Sequence, residues 1–179
     1  MNDHVMNLDP FTEKDFDFLL NWNPSKKDFL RWDAHAFTYP LNQSKLEKYF
    51  SDCLGKSNTS YQRKAYKVIV QDQIIGYVEL NMIDQDNRSA YVDHLLIRDK
   101  KNRGKGFGQR LIQKVLEIGF GDLSLHRISL SVPDNNHQAI KCYENAGFVK
   151  EGLIRDVLRV NEEYWSYFVM GMLTNEWKT

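Results

Sequence analysis

The chain has 179 residues, 42% hydrophobic and 27% charged, which is typical of a globular protein with one core, so we predict one domain over residues 1–179. Its 24 basic residues balance its 24 acidic residues, which argues against a dedicated nucleic-acid-binding protein because such proteins usually carry a net basic surface. We expect no signal peptide, because the polar start at residues 1–4 lacks a basic region followed by an apolar one. We also expect no membrane association, since the sequence has no apolar run near the roughly 20 residues that span a bilayer.

The first third of the chain predicts one strand and two helices around an irregular segment. Val5–Leu8 is suited to a short strand, and Thr12 is suited to cap an amphipathic helix. Residues 23–40 are rich in aromatic side chains and show no clear period, so we expect them to be irregular. Apolar residues recur at helical spacing from Leu46, and Gly55 is the expected end of that helix.

The rest of the chain predicts strands separated by two helices. The expected strands are Ala65–Val70, Ile74–Ile83, Tyr91–Ile97, Arg127–Val132, Val149–Val160 and Tyr164–Leu173. The expected helices cover about 107–120 and 138–145, and each carries an apolar face. This order of elements indicates an α/β or α+β protein with a mixed sheet.

A glycine-rich loop follows the predicted strand 91–97. Its three alternate glycines are Gly104, Gly106 and Gly108. Because glycine leaves room beside the backbone, N–H groups of the loop and of the next helix are suited to bind phosphate. Three basic residues raise the local positive potential, namely Lys101, Arg103 and Lys105. A flexible turn that only caps the helix is the structural alternative.

The spacing of these glycines does not fit the two common nucleotide-binding loops. A dinucleotide-binding loop that starts at Gly104 needs a third glycine at position 109, which is Gln109. A Walker A loop needs a glycine five residues before Gly104, where the chain has Asp99. The remaining pattern is Arg-x-x-Gly-x-Gly over residues 103–108.

A second motif covers residues 136–148, with the sequence NHQAIKCYENAGF. Asn136 and Tyr143 are seven residues apart and share one helix face. Together with the Arg-x-x-Gly-x-Gly loop, this motif resembles the GNAT superfamily of N-acetyltransferases, over roughly residues 65–173. The stretch from Leu125 to Glu151 looks most like the ribosomal-protein and polyamine acetyltransferase branches.

The resemblance implies a GNAT fold, in which a mixed, mostly antiparallel sheet of six to seven strands splays at a parallel pair and is flanked by about four helices. It implies acetyl-CoA as the co-substrate, with its pantetheine arm along strand 91–97. The implied binding residues are Leu95, Leu96, Ile97, Arg103, Gly104, Lys105, Gly106, Phe107, Gly108, Gln109, Asn136 and Tyr143. We expect no metal, because His126 and His137 lack the spacing of metal ligands.

The resemblance assigns Tyr143 the role of general acid toward the departing thiolate, for which a phenol of pKa about 10 is protonated at neutral pH. The base is open among Glu79, Asp93 and His94, with or without a relaying water. A carboxylate within an apolar strand invites a functional interpretation, whereas a solvent-facing Glu79 would be unremarkable chemically. An acyl intermediate on Cys142 is a further alternative.

The acceptor is expected to be a primary amine of a small molecule or a peptide, held by aromatic side chains. The residues proposed for this pocket are Trp32, Phe37 and Tyr39, with Trp22, Asp33, His35, Tyr164 and Trp165 nearby. Polyamines, protein N-termini, amino sugars and antibiotics all remain open. Some of these residues would alternatively be core or dimer contacts.

The same sequence leaves the cellular setting and two other functions open. Cys53 and Cys142 form no CxxC pair, which favours a reduced, cytoplasmic protein, and exposed closing strands favour a homodimer. A non-catalytic acyl-CoA-binding module on the same fold is the second hypothesis. A nucleotide-dependent enzyme such as a kinase is the third.

Overall fold

The computed structural model of the protein describes residues 5–33, 36–51 and 62–178, so the predictions that concern His35, Cys53 and Gly55 lie outside the described residues. The strands are β1 Met6–Pro10, β2 Gln62–Val70, β3 Gln73–Asp84, β4 Ser89–Ile97, β5 Arg127–Pro133, β6 Val149–Val160 and β7 Glu163–Leu173. The helices are α1 Phe16–Leu20, α2 Lys26–Trp32, α3 Gln43–Ser51, α4 Phe107–Leu116 and α5 His137–Ala146.

The seven strands form one sheet in the order β1-β2-β3-β4-β5-β7-β6. Every neighbouring pair is antiparallel except β4 and β5. These two parallel strands pair only from Ser89 to Tyr91, opposite Arg127 to Ser129, and then separate. The predicted mixed sheet that splays at a parallel pair is thereby confirmed.

Helices cover both faces of the sheet and create two main cores. On one face, α4 and α5 contribute buried side chains such as Leu111, Val115 and Ile140 to a core with β3, β4 and β5. On the other face, α1, α2 and α3 bury Leu19, Phe29 and similar residues. The splayed end of the sheet therefore lies between two helical layers.

The segment 23–40, which was expected to be irregular, contains α2, and within residues 5–33, 36–51 and 62–178 five α-helices flank the sheet where about four were expected. Ser25 caps this helix, because the Asp28 N–H donates to Ser25 Oγ at 3.1 Å. Phe29 is 1% exposed and anchors the helix to the core. In the described part of the chain, no helix is long and apolar enough to cross a membrane.

Candidate active site

The glycine-rich loop is held against the end of β4 by Arg103. Its Nε donates to the Ile97 carbonyl at 3.0 Å, and its Nη2 donates to the Arg98 carbonyl at 3.2 Å. Gly104 and Gly106 have φ values of 72° and 80°, a backbone conformation that residues with a side chain rarely adopt. A Cβ added at either glycine would meet no atom within 4 Å, so space lies open beside this backbone.

Helix α4 begins directly after this loop and points its N-terminus at the open space. The N–H of Arg110 donates to the Gly106 carbonyl at 3.0 Å, which is the first bond of the helix. The N–H groups of residues 107–109 precede that bond, and the geometry of an α-helix gives them no partner within the helix. The site therefore combines free amide donors with a positive helix end, as anion binding requires.

A cleft of about 740 Å³ extends from this loop between β4 and α5. It is lined by every residue that was proposed to bind the co-substrate except Lys105 and Phe107. Phe107 packs instead against the core beneath α4, with the Arg110 guanidinium over its ring. The structure thus brings the two sequence motifs together on one cavity.

Beyond Tyr91, one edge of β4 is left open toward this cleft. The Arg98 N–H donates to the Ile75 carbonyl of β3 at 3.0 Å. Because main-chain groups alternate sides along a strand, those of Leu95 and Ile97 point away from β3. Leu96 lies in register with Tyr77, and its carbonyl faces β3. The open edge is therefore supplied by Leu95 and Ile97 rather than by Leu96.

Tyr143 lies on α5, lines the cleft and is 9% exposed. Its ring packs edge-on against Phe148 with 6.0 Å between the centroids. Burial raises the pKa of the Tyr143 hydroxyl, and the nearby Cys142 and Asp93 raise it further. The phenol is therefore protonated throughout the neutral and mildly alkaline range.

Two further residues of this motif, Asn136 and Cys142, have structural contacts. The Asn136 side chain caps α5, where its Oδ1 accepts the Ala139 N–H at 3.4 Å. Cys142 is partly buried beside Gly108, and burial raises the pKa of its thiol. A neutral thiol is a poor nucleophile, so the geometry disfavours an acyl intermediate on Cys142.

Strand β4 contains a bulge beside the open edge. Glu79 pairs with Asp93 and Tyr77 pairs with Leu96, so β4 uses one more residue than β3 over this stretch. His94, within the bulge, has a left-handed φ of 51°. The extra residue turns the His94 side chain into the buried interface between the sheet and α2, where it is 3% exposed.

His94 lies between two buried carboxylates. Its Nε2 is 3.1 Å from Asp33 Oδ1, and its Nδ1 is 3.4 Å from Glu79 Oε1. Glu79 also accepts hydrogen bonds from Tyr49 Oη at 2.8 Å and from the Tyr77 hydroxyl, and the Arg63 Nε is 3.4 Å from its Oε2. We call Asp33, His94, Glu79 and Arg63 the buried charge network.

This placement separates the two carboxylates that were proposed as the base. Glu79 is fully buried, so the alternative of a solvent-facing Glu79 is wrong. Burial raises its pKa, but His94 and Arg63 lower it to below the ordinary value. The Asp93 side chain is 36% exposed, and its charge raises the pKa of Tyr143 on α5 and of Tyr91 on its own strand. Neither carboxylate lines the cleft, and of the two only Asp93 is accessible to solvent.

The buried charge network predicts how stability depends on pH. Burial lowers the pKa of His94, but Glu79 and Asp33 outweigh burial and raise it to about 10. Its stabilising contribution is complete below its ordinary pKa of 6.5 and is lost as the pH rises through about 10. Between pH 6.5 and pH 10, we expect the free energy of unfolding measured with urea to fall by a few kcal/mol in the wild type. We expect it to fall less in His94→Asn. Parallel curves for the two proteins would contradict the prediction.

Glu79 has the opposite sign. Its pKa is lowered, so its contribution is present above the ordinary value of 4.5 and is lost as the pH falls through the lower folded-state value. Glu79→Gln leaves the buried His94 and the partly exposed Arg63 without their shared carboxylate, and breaking a buried ion pair typically costs about 3–5 kcal/mol. Urea unfolding at pH 7 measures this loss, and a change below about 1 kcal/mol would contradict it.

The proposed acceptor residues are only partly brought together. Trp32 lines the cleft, and its Nε1 donates to the His94 carbonyl at 2.9 Å. Phe37 is 5% exposed beneath Trp32, because its N–H donates to Asp33 and turns the chain inward. Tyr39 lies away from the cleft, where its hydroxyl donates to the Pro24 carbonyl at 3.4 Å. The structure therefore brings Trp32, but not Phe37 or Tyr39, to the site.

Arg31, which the sequence did not single out, also lines the cleft. Its Nε donates to Asn135 Oδ1 at 3.4 Å, and its guanidinium lies 5.7 Å from the centre of the Trp165 ring. Arg31 is positioned by α2, for which the N-cap at Ser25 was the one sequence signal. Among residues 5–33, 36–51 and 62–178, no group of three His, Cys, Asp or Glu side chains is arranged to hold a metal.

Comparisons with known proteins agree with this geometry. A family profile described as an acetyltransferase (GNAT) domain matches residues 6–149. An uncharacterised N-acetyltransferase, p20 of Bacillus licheniformis, is 34% identical over 118 residues, which are 65% of this chain. The chain likewise spans only 65% of that relative's length.

Two solved structures share the fold over almost the whole chain. A spermidine N-acetyltransferase from Vibrio cholerae, in complex with CoA and spermine, has a TM-score of 0.81 and 28% identity, with 96% of each chain covered. A dodecameric structure of a spermidine N-acetyltransferase from the same organism has a TM-score of 0.75 and 27% identity, covering 95% of this chain and 94% of that one. These likenesses confirm the fold that the sequence resemblance implied.

Proposed function

Because the chain belongs to the GNAT acetyltransferase family, we propose that it is an N-acetyltransferase that moves an acetyl group from acetyl-CoA directly to a primary amine. One observation carries the proposal. The open edge of β4, the glycine-rich loop and Tyr143 all face a single cleft. We propose one domain over residues 1–179; a domain that only stored acyl-CoA would have no use for a buried, protonated phenol in the cleft.

The cleft suits acetyl-CoA at both ends. The amides after Gly106 and the N-terminus of α4 provide donors for a diphosphate, and the open space at Gly104 and Gly106 admits it. The main-chain groups of Leu95 and the Ile97 N–H are suited to an extended amide-bearing arm, which would add to β4 as a strand does; the Ile97 carbonyl is already bound by Arg103. When bound, acetyl-CoA supplies an acetyl group activated as a thioester.

The protein's own residues then manage two protons. Asp93 accepts a proton from the acceptor ammonium, directly or through a water, because the neutral amine is the nucleophile. The amine nitrogen then forms its bond to the carbonyl carbon, and Tyr143 donates a proton to the sulfur as the carbon–sulfur bond breaks. The second proton, which the nitrogen loses as it becomes an amide, restores the phenol of Tyr143. A main-chain N–H of the open edge stabilises the negative charge on the carbonyl oxygen. Glu79 stays in the buried charge network and takes no part in this transfer.

The acceptor is proposed to be a small amine or a protein N-terminus that enters between α2 and β7. The likeness to spermidine N-acetyltransferases supports a small amine. Trp32 offers a ring face to a cation, and Asp93 offers a charge. We propose a cytoplasmic location, because acetyl-CoA is a metabolite and Cys142 carries a free thiol; no metal or nucleic acid takes part in the proposed reaction.

A thiol-release assay with acetyl-CoA over an amine panel tests the proposal. The panel contains polyamines, amino sugars, aminoglycosides, and peptides with a free N-terminus. We expect turnover with at least one class and dependence on acetyl-CoA. Tight CoA binding without turnover on any class would favour the non-catalytic acyl-CoA-binding module instead. Calorimetric binding of ATP in preference to CoA would overturn both.

We further propose that the protein forms a homo-oligomer through β6. This edge strand exposes apolar side chains, with Val149, Leu153 and Ile154 about half exposed. Two antiparallel copies that cross at Leu153 would pack these apolar side chains against each other and pair the free edge of β6. The dodecameric relative supports assembly.

Light scattering after gel filtration tests this assembly. We expect a mass of at least twice the 21.1 kDa of one chain, and a shift toward one chain in Leu153→Glu. Val5→Glu, which alters an exposed apolar residue on β1's side of the molecule, is the matched control. A single-chain mass for the unmodified protein at micromolar concentration would refute the proposal.

A further inference from the structure

The bulge in β4 is held at the side chain and at the carbonyl of one residue. The His94 Nε2 is hydrogen-bonded to Asp33, its Nδ1 lies 3.4 Å from Glu79 Oε1 as an ion-pair contact without a hydrogen bond, and the His94 carbonyl accepts the Trp32 Nε1 proton at 2.9 Å. A left-handed φ is uncommon for residues other than glycine. At His94 the contacts of the side chain and the bond to the carbonyl hold the residue in this conformation.

The bond to the His94 carbonyl also sets the direction of the next amide. In a trans peptide, the C=O of one residue and the N–H of the next point in opposite directions. The bulge removes the His94 carbonyl from the ladder with β3, and Trp32 takes it. The Leu95 N–H therefore points away from that bond, on the open edge of β4 and beside the cleft.

We propose that His94 is a positioning residue, whose side chain is clamped between Asp33 and Glu79 so that the Leu95 N–H is aimed at the thioester carbonyl. This inference rests on the proposed acetyltransferase function and deepens it. A main-chain N–H near Asp93 to Leu95 as the polarising donor follows from the family resemblance; the inference adds the side chain that aims it and explains why three ionisable side chains are buried behind it. His94 itself touches neither substrate.

A purely structural role would look different. The ion pair of Lys67 and Asp15, with 2.8 Å between Nζ and Oδ1, lies on the same face of the sheet and stabilises the fold without strain at the cleft. The network at His94 instead coincides with the bulge, the left-handed φ and the start of the open edge. Hydrophobic side chains usually stabilise a core at least as well as buried charges do. Buried charges that are paired hold the side chains and main chain around them in one orientation.

Infrared spectroscopy of the bound carbonyl tests the inference. Acetyl-CoA labelled with carbon-13 at its carbonyl is bound to the wild-type protein, where a hydrogen bond from Leu95 lowers the stretching frequency. His94→Asn keeps a residue type that tolerates a left-handed φ but lacks the reach to both carboxylates. We expect its carbonyl frequency to return toward that of free acetyl-CoA.

Kinetics of the same variant give the second readout. We expect kcat to fall about 10-fold or more, toward the ~10²–10³-fold that loss of such a donor costs. The KM for acetyl-CoA should change less than about two-fold, since a group that acts only in the transition state leaves ground-state binding intact. Lys67→Met is the control, which should lower stability without moving the carbonyl frequency or kcat.

Each outcome points one way. An unchanged carbonyl frequency in a folded His94→Asn protein overturns the positioning role. Should His94→Asn fail to fold, Trp32→Phe removes only the donor to the His94 carbonyl and must shift the frequency in the same direction; no shift overturns the inference. A wild-type protein that binds acetyl-CoA but acetylates no amine refutes the proposed function instead, and the carbonyl measurement still reads the Leu95 bond.

Discussion

Replacing Tyr143 by Phe is expected to lower kcat by about 10²–10⁴-fold, the usual contribution of a positioned general acid. The substitution removes one oxygen and keeps the ring that packs on Phe148, so the fold should be retained. CoA affinity should change less than about two-fold, because the hydroxyl acts on the leaving sulfur rather than on the bound ground state. Steady-state kinetics and calorimetry measure the two quantities.

Tyr66→Phe is the matched control. Tyr66 is a partly buried tyrosine of β2, and burial likewise raises its pKa, but it does not line the cleft. The kcat of Tyr66→Phe should equal that of the wild type. Equal rates for Tyr143→Phe and Tyr66→Phe would remove Tyr143 from the mechanism.

Because the pKa of Tyr143 is raised, wild-type activity should show no loss from Tyr143 ionisation up to about pH 10.

Gly106→Val is expected to weaken CoA binding by about 10- to 100-fold, which corresponds to roughly 1.4–2.8 kcal/mol. A branched side chain at φ 80° is strained, and its methyl groups would occupy the open space that a diphosphate needs. No protein atom lies within 4 Å of the added Cβ, so no clash inside the fold compounds the effect. Calorimetry with CoA measures the loss.

Gly121→Val is the control for a generally harmful branched residue. An added Cβ at Gly121 also meets nothing within 4 Å, yet Gly121 does not have a positive φ and does not line the cleft. We expect wild-type affinity for CoA there. Unchanged affinity in Gly106→Val would show that the loop is not the diphosphate site.

The two motifs of the cleft were predictable from sequence because each depends on local chemistry. Glycines at alternate positions are needed where a ligand must reach main-chain N–H groups. Asn136 and Tyr143 share a helix face by helical periodicity alone. Helix α2 was missed because aromatic residues on both of its sides obscure the period. Its cap, Ser25 with Asp28 three residues later, was the available signal.

The role of Glu79 could not be predicted, because residues 75–80 of β3 are buried on both faces of the sheet. Strand alternation then does not tell a catalytic carboxylate from a paired one. The partners of Glu79 come from α3, β2 and β4, and only the folded chain brings them together. The bulge at His94 has no sequence signature of its own, since no glycine marks it.

Three ladder pairs join β4 to β5 before the two strands separate and leave a gap. Through this gap, the concentration of a bound molecule affects the stability of the fold. Any molecule that fills the gap binds only the folded chain, so at 100 times its dissociation constant it adds about 2.7 kcal/mol to the unfolding free energy. Under our proposal that molecule is acetyl-CoA. Scarcity of the acetyl donor would then shorten the protein's lifetime in the cell as well as slow its turnover.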